Sequence, residues 1–89
     1  GKDEKISFQV VPNPFRSALN IQYKTDGERE VIFRIFDIDQ KLLFIQDEGC
    51  KPAGNYEFTH IPDRLPNGFY FCEMTAGNHR VLKTVVKAE

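Results

Sequence analysis

Eighty-nine residues, 40% hydrophobic and 28% charged, make one small folded domain with no room for a second core. Twelve lysines and arginines against thirteen acids leave a net charge of −1, which argues against nucleic acid as the main partner. No apolar run approaches the about 18 residues of a membrane span, and the opening Gly1-Lys2-Asp3-Glu4-Lys5 lacks the apolar stretch of a signal peptide.

Residues 1–5 are charged and read as a linker remnant on an excised domain, so any export signal would lie on a larger precursor. Residues 6–89 form the domain. Residues 6–11 alternate Ile6, Phe8 and Val10 against Ser7 and Gln9, the pattern of a half-buried strand. Pro12-Asn13-Pro14-Phe15 ends it. Two prolines one residue apart remove two ladder donors and hold Val11 and Asn13 extended, so the chain leaves one sheet position and swings to another.

Residues 18–24 resume the alternation, with Leu19, Ile21 and Tyr23 on one face. A Thr25-Asp26-Gly27-Glu28 turn leads into residues 30–38, where Val31, Phe33 and Ile35 share one face and Ile32, Arg34, Phe36 and Ile38 the other. Asp39-Gln40 reads as a hairpin turn into a strand over residues 41–46, although glutamine is a poor residue where positive φ is wanted. Residues 47–55, with Pro52 and Gly54, read as a loop, and residues 56–60 as the next strand.

Leu65-Pro66-Asn67-Gly68 is a tight turn, with Pro66 fixing its own φ and Gly68 able to take positive φ just before the strand. Residues 69–75 then carry apolar side chains on both faces, as a central strand covered on both sides would. Ala76-Gly77-Asn78 is another turn, and residues 81–87 alternate Val81, Lys83, Val85 and Lys87 against Leu82, Thr84 and Val86. Seven short strands with regular turns and no helical period predict an all-β fold, a seven-stranded antiparallel immunoglobulin-like β-sandwich. The connections are too short for parallel strands.

Little in the chain points to chemistry. His60 and His79 lie far apart, and no phosphate loop, His-Glu-x-x-His or Gly-x-Ser-x-Gly stretch is present. Asp37 and Asp39 could begin a calcium loop, but the other oxygen ligands and the glycine are missing, so a strand-end acid beside a turn acid is the expected reading. Cys50 and Cys72 could pair, although Cys72 fits more naturally as a small buried apolar residue, and neither has metal-ligand spacing to a second Cys or His. No enzyme, cofactor or metal is expected. Tyr23 and Tyr56 are the candidates for an exposed sugar-stacking platform, yet each shares a face with apolar neighbours. The two lysines on one face of the final strand suit either an edge protected from aggregation or a strand read by another protein through edge pairing.

Taken in order, the motifs resemble the C-terminal sorting domain of type IX (Por) secretion substrates over nearly the whole chain. Pro12, Asn13, Pro14 and Phe15 match its Pro-Asn-Pro-Phe, and Phe36-Asp37-Ile38 its aromatic-Asp-Ile hairpin opening. Leu65, Gly68 and Tyr70 match Leu-x-x-Gly-x-Tyr, Gly77 a later glycine, and residues 83–87 a closing lysine-rich strand. The resemblance implies a non-catalytic signal that directs a cargo, fused N-terminal to it, from the periplasm across the outer membrane. The type IX shuttle protein and sortase would be its partners. The sortase would remove the domain, leaving the cargo on the surface or released. Family recognition centres on the last two strands, so Gly68, Tyr70, Lys83, Val85 and Lys87 are the residues carried over. Gln40 stands where many members have glycine, which implies a longer or bulged turn, and Ala88-Glu89 run past the usual final lysine. The alternative is an accessory immunoglobulin-like carbohydrate-binding or spacer module of an extracellular enzyme.

Overall fold

The computed structural model describes residues 6–89; the linker expected over residues 1–5 lies outside them. Seven strands follow one another: β1 (Ile6–Val10), β2 (Leu19–Thr25), β3 (Arg29–Phe36), β4 (Leu42–Lys51), β5 (Gly54–His60), β6 (Gly68–Ala76) and β7 (His79–Lys87). They form a three-stranded sheet in the order β1-β2-β5 and a four-stranded sheet in the order β4-β3-β6-β7. All strand pairs are antiparallel, and the two sheets face each other as a sandwich of immunoglobulin-like type. No helix long and apolar enough to cross a membrane occurs among the described residues.

The alternation seen in the sequence is what divides inside from outside. Ile6, Phe8, Val10, Leu19, Ile21 and Tyr23 enter the core from one sheet, and Val31, Phe33, Ile35, Tyr70, Cys72, Met74, Ala76 and Val85 enter from the other. Phe33, fully buried, is the centre of the aromatic packing. Its ring lies 5.5 Å from Phe8, 5.1 Å from Tyr23 and 5.1 Å from Phe58, so β3 contacts all three strands of the facing sheet through one side chain. Edge-to-face and tilted contacts of this kind add about 0.5–1.5 kcal/mol each beyond the area they bury.

The double-proline segment does carry the chain from one sheet position to another, touching the second sheet on the way. β1 pairs with β2 in one sheet, and four residues after Val11 the chain meets β7 in the other, where Phe15 and Lys87 form an isolated parallel bridge. The strand pairs themselves are all antiparallel, as the short connections required, and this bridge is an isolated contact outside them. A full parallel strand pair requires a long crossover, but a single bridge needs only a chain that touches the other sheet.

Two expectations are corrected. Residues 47–55 are not a loop: β4 runs on to Lys51 and β5 starts at Gly54. The stretch was unreadable as strand because β4 lies at the edge of its sheet and none of its residues is fully buried, so no apolar alternation marks it. A register shift opposite Val31 and Ile32 inserts Glu48 as an extra residue. Its carboxylate accepts the Tyr23 hydroxyl at 2.5 Å, which joins the two sheets. Burial, and then the hydrogen bond to Glu48 and its charge, raise the Tyr23 phenol well above its ordinary value.

The outer face of β6 is also less covered than its sequence suggested. Tyr70, Cys72, Met74 and Ala76 point inward, but Phe69 remains 59% exposed and Phe71 half-buried. Glu73 on that face is covered by two arginines: Arg34 Nη1 lies 3.4 Å from Oε1 and Arg80 Nε donates to Oε2. β6 is central in its sheet, but no second layer lies on its outer side among the described residues.

Candidate recognition site

The residues singled out by the family likeness lie far apart in sequence, yet most of them gather at one end of the sandwich. Gly68 pairs with Lys87, the first residue of β6 against the last of β7. Its φ of 143° belongs to glycine, and a Cβ there would meet no atom within 4 Å. The requirement is thus dihedral rather than steric. Tyr70, 5% exposed, donates its hydroxyl to the Pro66 carbonyl at 2.5 Å, tying the strand back to the turn that starts it. Burial and then the charge of Asp37 push its phenol upward. Leu65 packs against the core, and Asp37, Leu65, Gly68 and Tyr70 line one shallow hollow.

Asp37 is occupied by its own turn. Its Oδ1 accepts the Asp39 and Lys41 amides at 2.9 Å each, and its backbone exchanges hydrogen bonds with Gln40 and Lys41. Gln40 takes the positive φ, 67°, and the ladder shifts register between Ile35 and Phe36. The turn is bulged, as glutamine in place of glycine implied.

The Pro-Asn-Pro-Phe segment closes the same end. Phe15 N–H donates to the Val86 carbonyl at 2.8 Å, and Ala88 N–H donates to the Phe15 carbonyl at 2.9 Å. Val86 N–H in turn donates to Asn13 Oδ1 at 2.9 Å. The Phe15 ring is wholly buried while Pro12, Asn13 and Pro14 stay exposed. The segment is therefore a clip on the outer edge of β7, anchored by one aromatic side chain. Ala88, one residue past the final lysine, is one of its hydrogen-bonding residues.

Within β7 the carried-over residues differ in kind. Val85 is 1% exposed and belongs to the core. Lys87 is 8% exposed; its Nζ lies 3.4 Å from Asn67 Oδ1 and 3.7 Å from Glu89 Oε2. Lys83 is exposed, with its Nζ 5.6 Å from the centre of the Phe8 ring across the seam between the sheets. Gly77, at the opposite end of the β6–β7 hairpin, has φ of 60° at the first of two turn residues, the type II′ pattern. Gly77 and Lys83 stand apart from the cluster. Sequence reasoning missed Asn67 and Glu89 as the partners of Lys87, and Arg34 and Arg80 as those of Glu73. Only the register of β6 on β7 and β3 brings them together, although a lone acid on an otherwise apolar strand face was a usable signal for Glu73.

Other candidates turn out to be structural. Tyr23 is 2% exposed, and Tyr56, half-buried, stacks one ring face on it at 5.3 Å and has Lys51 Nζ 5.1 Å from its ring centre. His60 ends β5 with its ring stacked on Phe44; burial lowers its pKa, outweighing the nearby Asp63. Cys50 and Cys72 are both free thiols, the first exposed and the second buried.

None of the curated proteins matches the chain. The family described as secretion system C-terminal sorting domain matches over residues 9–88, from β1 to the Ala88 of the clip. That span holds β2 to β7 entire, the last two residues of β1, and the whole clustered end. The chain belongs to this family of C-terminal sorting domains, the non-catalytic signals carried by type IX secretion substrates for export across the outer membrane to the cell surface or beyond.

Proposed function

We propose that the type IX machinery reads this domain at the β6–β7 hairpin and its clipped end, after the cargo has reached the periplasm, and that a sortase then cuts upstream of residue 6. The observation that carries this reading is the gathering of Pro12–Phe15, Asp37, Leu65, Gly68, Tyr70 and Lys87 at one end of the fold. Motif residues so far apart in sequence share a location because they shape one surface.

Their roles divide by burial. Tyr70, Val85 and Phe15 cannot touch a partner while the domain is folded, so they act by holding β7 in place. Gly68 sets the entry of β6, and Lys87 fastens the end of β7 to the Asn67 turn. Lys83 is the carried-over cation that reaches solvent. Residues 1–5 then belong to the linker between cargo and domain, and the shuttle protein and sortase are the partners.

The test is a reporter fused ahead of this domain in a type IX-competent cell, compared with a fusion lacking residues 83–89. The full fusion is expected at the surface or in the medium, and mass spectrometry of the exported reporter is expected to place the cut before residue 6. Surface delivery of the truncated fusion would overturn the assignment of recognition to β7. Exported reporter that still carries the domain would overturn sortase removal.

A further inference from the structure

β7 is the last strand of its sheet, so one side of its backbone faces β6 and the other faces away. Val86 identifies the residues that face away, because its N–H and C=O bond Asn13 and Phe15 rather than β6. Antiparallel ladders alternate with a period of two, so Arg80, Leu82 and Thr84 turn their N–H and C=O the same way. Among the described residues no backbone partner meets those groups. The clip occupies the edge from Val86 onward, which leaves residues 80–84 open, roughly 16 Å of strand.

The clip also demonstrates what this edge accepts: an extended backbone, held by main-chain hydrogen bonds. The charge beside the open stretch selects among extended partners. β7 carries Arg80, Lys83 and Lys87 and no acid. Arg80 must share Glu73 with Arg34, and Lys83 has no carboxylate partner among the described residues. A second copy adding antiparallel through the same edge, centred on Leu82, would set both sets of cations in one short ladder with no acid to offset them, and like charges across a ladder are destabilising. An acidic strand meets the opposite situation. Leu82, 49% exposed and on the same face as Phe71, offers apolar contact to alternate side chains of the incoming segment.

We infer that residues 80–84 of β7 accept, by strand addition, an extended acidic segment of the machinery that reads this domain, with the Asn13–Phe15 clip setting where that segment must stop. The inference rests on the sorting role proposed for the hairpin. It names the backbone edge, rather than Lys87 or the core residues, as the surface that makes contact.

Leu82→Pro isolates the edge, because it removes an N–H that faces away from β6 and none that joins β6 to β7. In the reporter fusion, this variant is expected to keep the circular dichroism of the parent domain while export falls about tenfold, as for the loss of one hydrogen bond to a partner. Thr84→Glu and Thr84→Lys, at an exposed position that leaves the backbone unchanged, test the charge and stand in should the proline variant fail to fold. Thr84→Glu is expected to lower export, and Thr84→Lys to leave it at or above the parent level. A folded Leu82→Pro fusion exported like the parent would overturn strand addition, and equal export of the two Thr84 variants would overturn the acidic partner. Either result, with the parent fusion exported, leaves the sorting role standing; a parent fusion that stays inside the cell removes both.

Discussion

Phe15 is the sharpest point at which to test the architecture, because it lies in no strand and yet, with Phe33, is one of the two largest fully buried side chains. Truncation to alanine leaves a ring-sized cavity where the clip meets the core, and Phe→Ala at such sites costs about 3–5 kcal/mol. A chain of this length holds about 4–13 kcal/mol in total, so Phe15→Ala removes a large share of it. In urea, with a slope near the lower part of the about 1–3 kcal/mol/M range, the midpoint should fall by about 2–4 M. Phe15→Leu keeps most of the volume and should cost about 1 kcal/mol. Asn13→Ala breaks only the hydrogen bond to Val86 at the surface and should cost about 0.5–1 kcal/mol. Equilibrium unfolding followed by far-ultraviolet circular dichroism reads all three. A loss below about 1 kcal/mol for Phe15→Ala, the range of ordinary surface positions, would mean that the segment is a loop lying on the sandwich, and the clip would have to be abandoned.

Other substitutions probe single features. Gly68→Ala forces an L residue to φ of 143° and should cost about 1–3 kcal/mol in the same unfolding experiment; a neutral result would refute the dihedral argument. Gln40→Gly relieves a positive φ of 67° and should raise stability by about 0.5–1 kcal/mol, seen as a higher melting temperature. For Cys72, burial first and then Glu73 push the thiol up to about 12 from 9.0. Because the unfolded thiol gives up its proton first, the stability tied to Cys72 is complete below pH 9 and declines as pH climbs from there toward 12. Thermal melts across that window should show a shallower alkaline loss in Cys72→Ala. A thiol reagent at pH 8 should likewise modify one cysteine per native chain and two in denaturant; two in the native state would place Cys72 outside the core.

Much of this molecule was legible because half-buried strands write their environment into the chain. Ile6, Phe8 and Val10, or Val31, Phe33 and Ile35, point inward as alternation required. The two prolines after Val11 marked the end of β1, and the chain then touches the other sheet at Phe15 before β2 takes the neighbouring position to β1. The reading failed where burial is one-sided or absent. β4 borders solvent, so the polar run from Asp47 to Lys51 looked like a loop although it pairs with β3 as far as Arg29. Phe69 and Phe71 looked like the second buried face of β6 because an apolar residue left in water has the same letter as one in a core. At the candidate site, alternation placed Val85 and Lys87 on one face of β7 without showing that this lysine-bearing face is the buried one. The clip, by contrast, is a contact between residues 73 positions apart, Asn13 and Val86, and no local pattern encodes a partner at that distance.

The same separation governs when the fold can close. Val85 fills the core, and Val86 and Ala88 complete the hydrogen bonds of a segment made at the other end of the domain. During synthesis, Phe15 waits through the emergence of six further strands before its partners exist, and contacts of such long range form late. A chain broken off before Val86 would leave the Asn13 and Phe15 groups unmet. The finished clip is therefore a mark of completeness, so a machine that binds only the closed domain would pass over unfinished cargo without any separate inspection step.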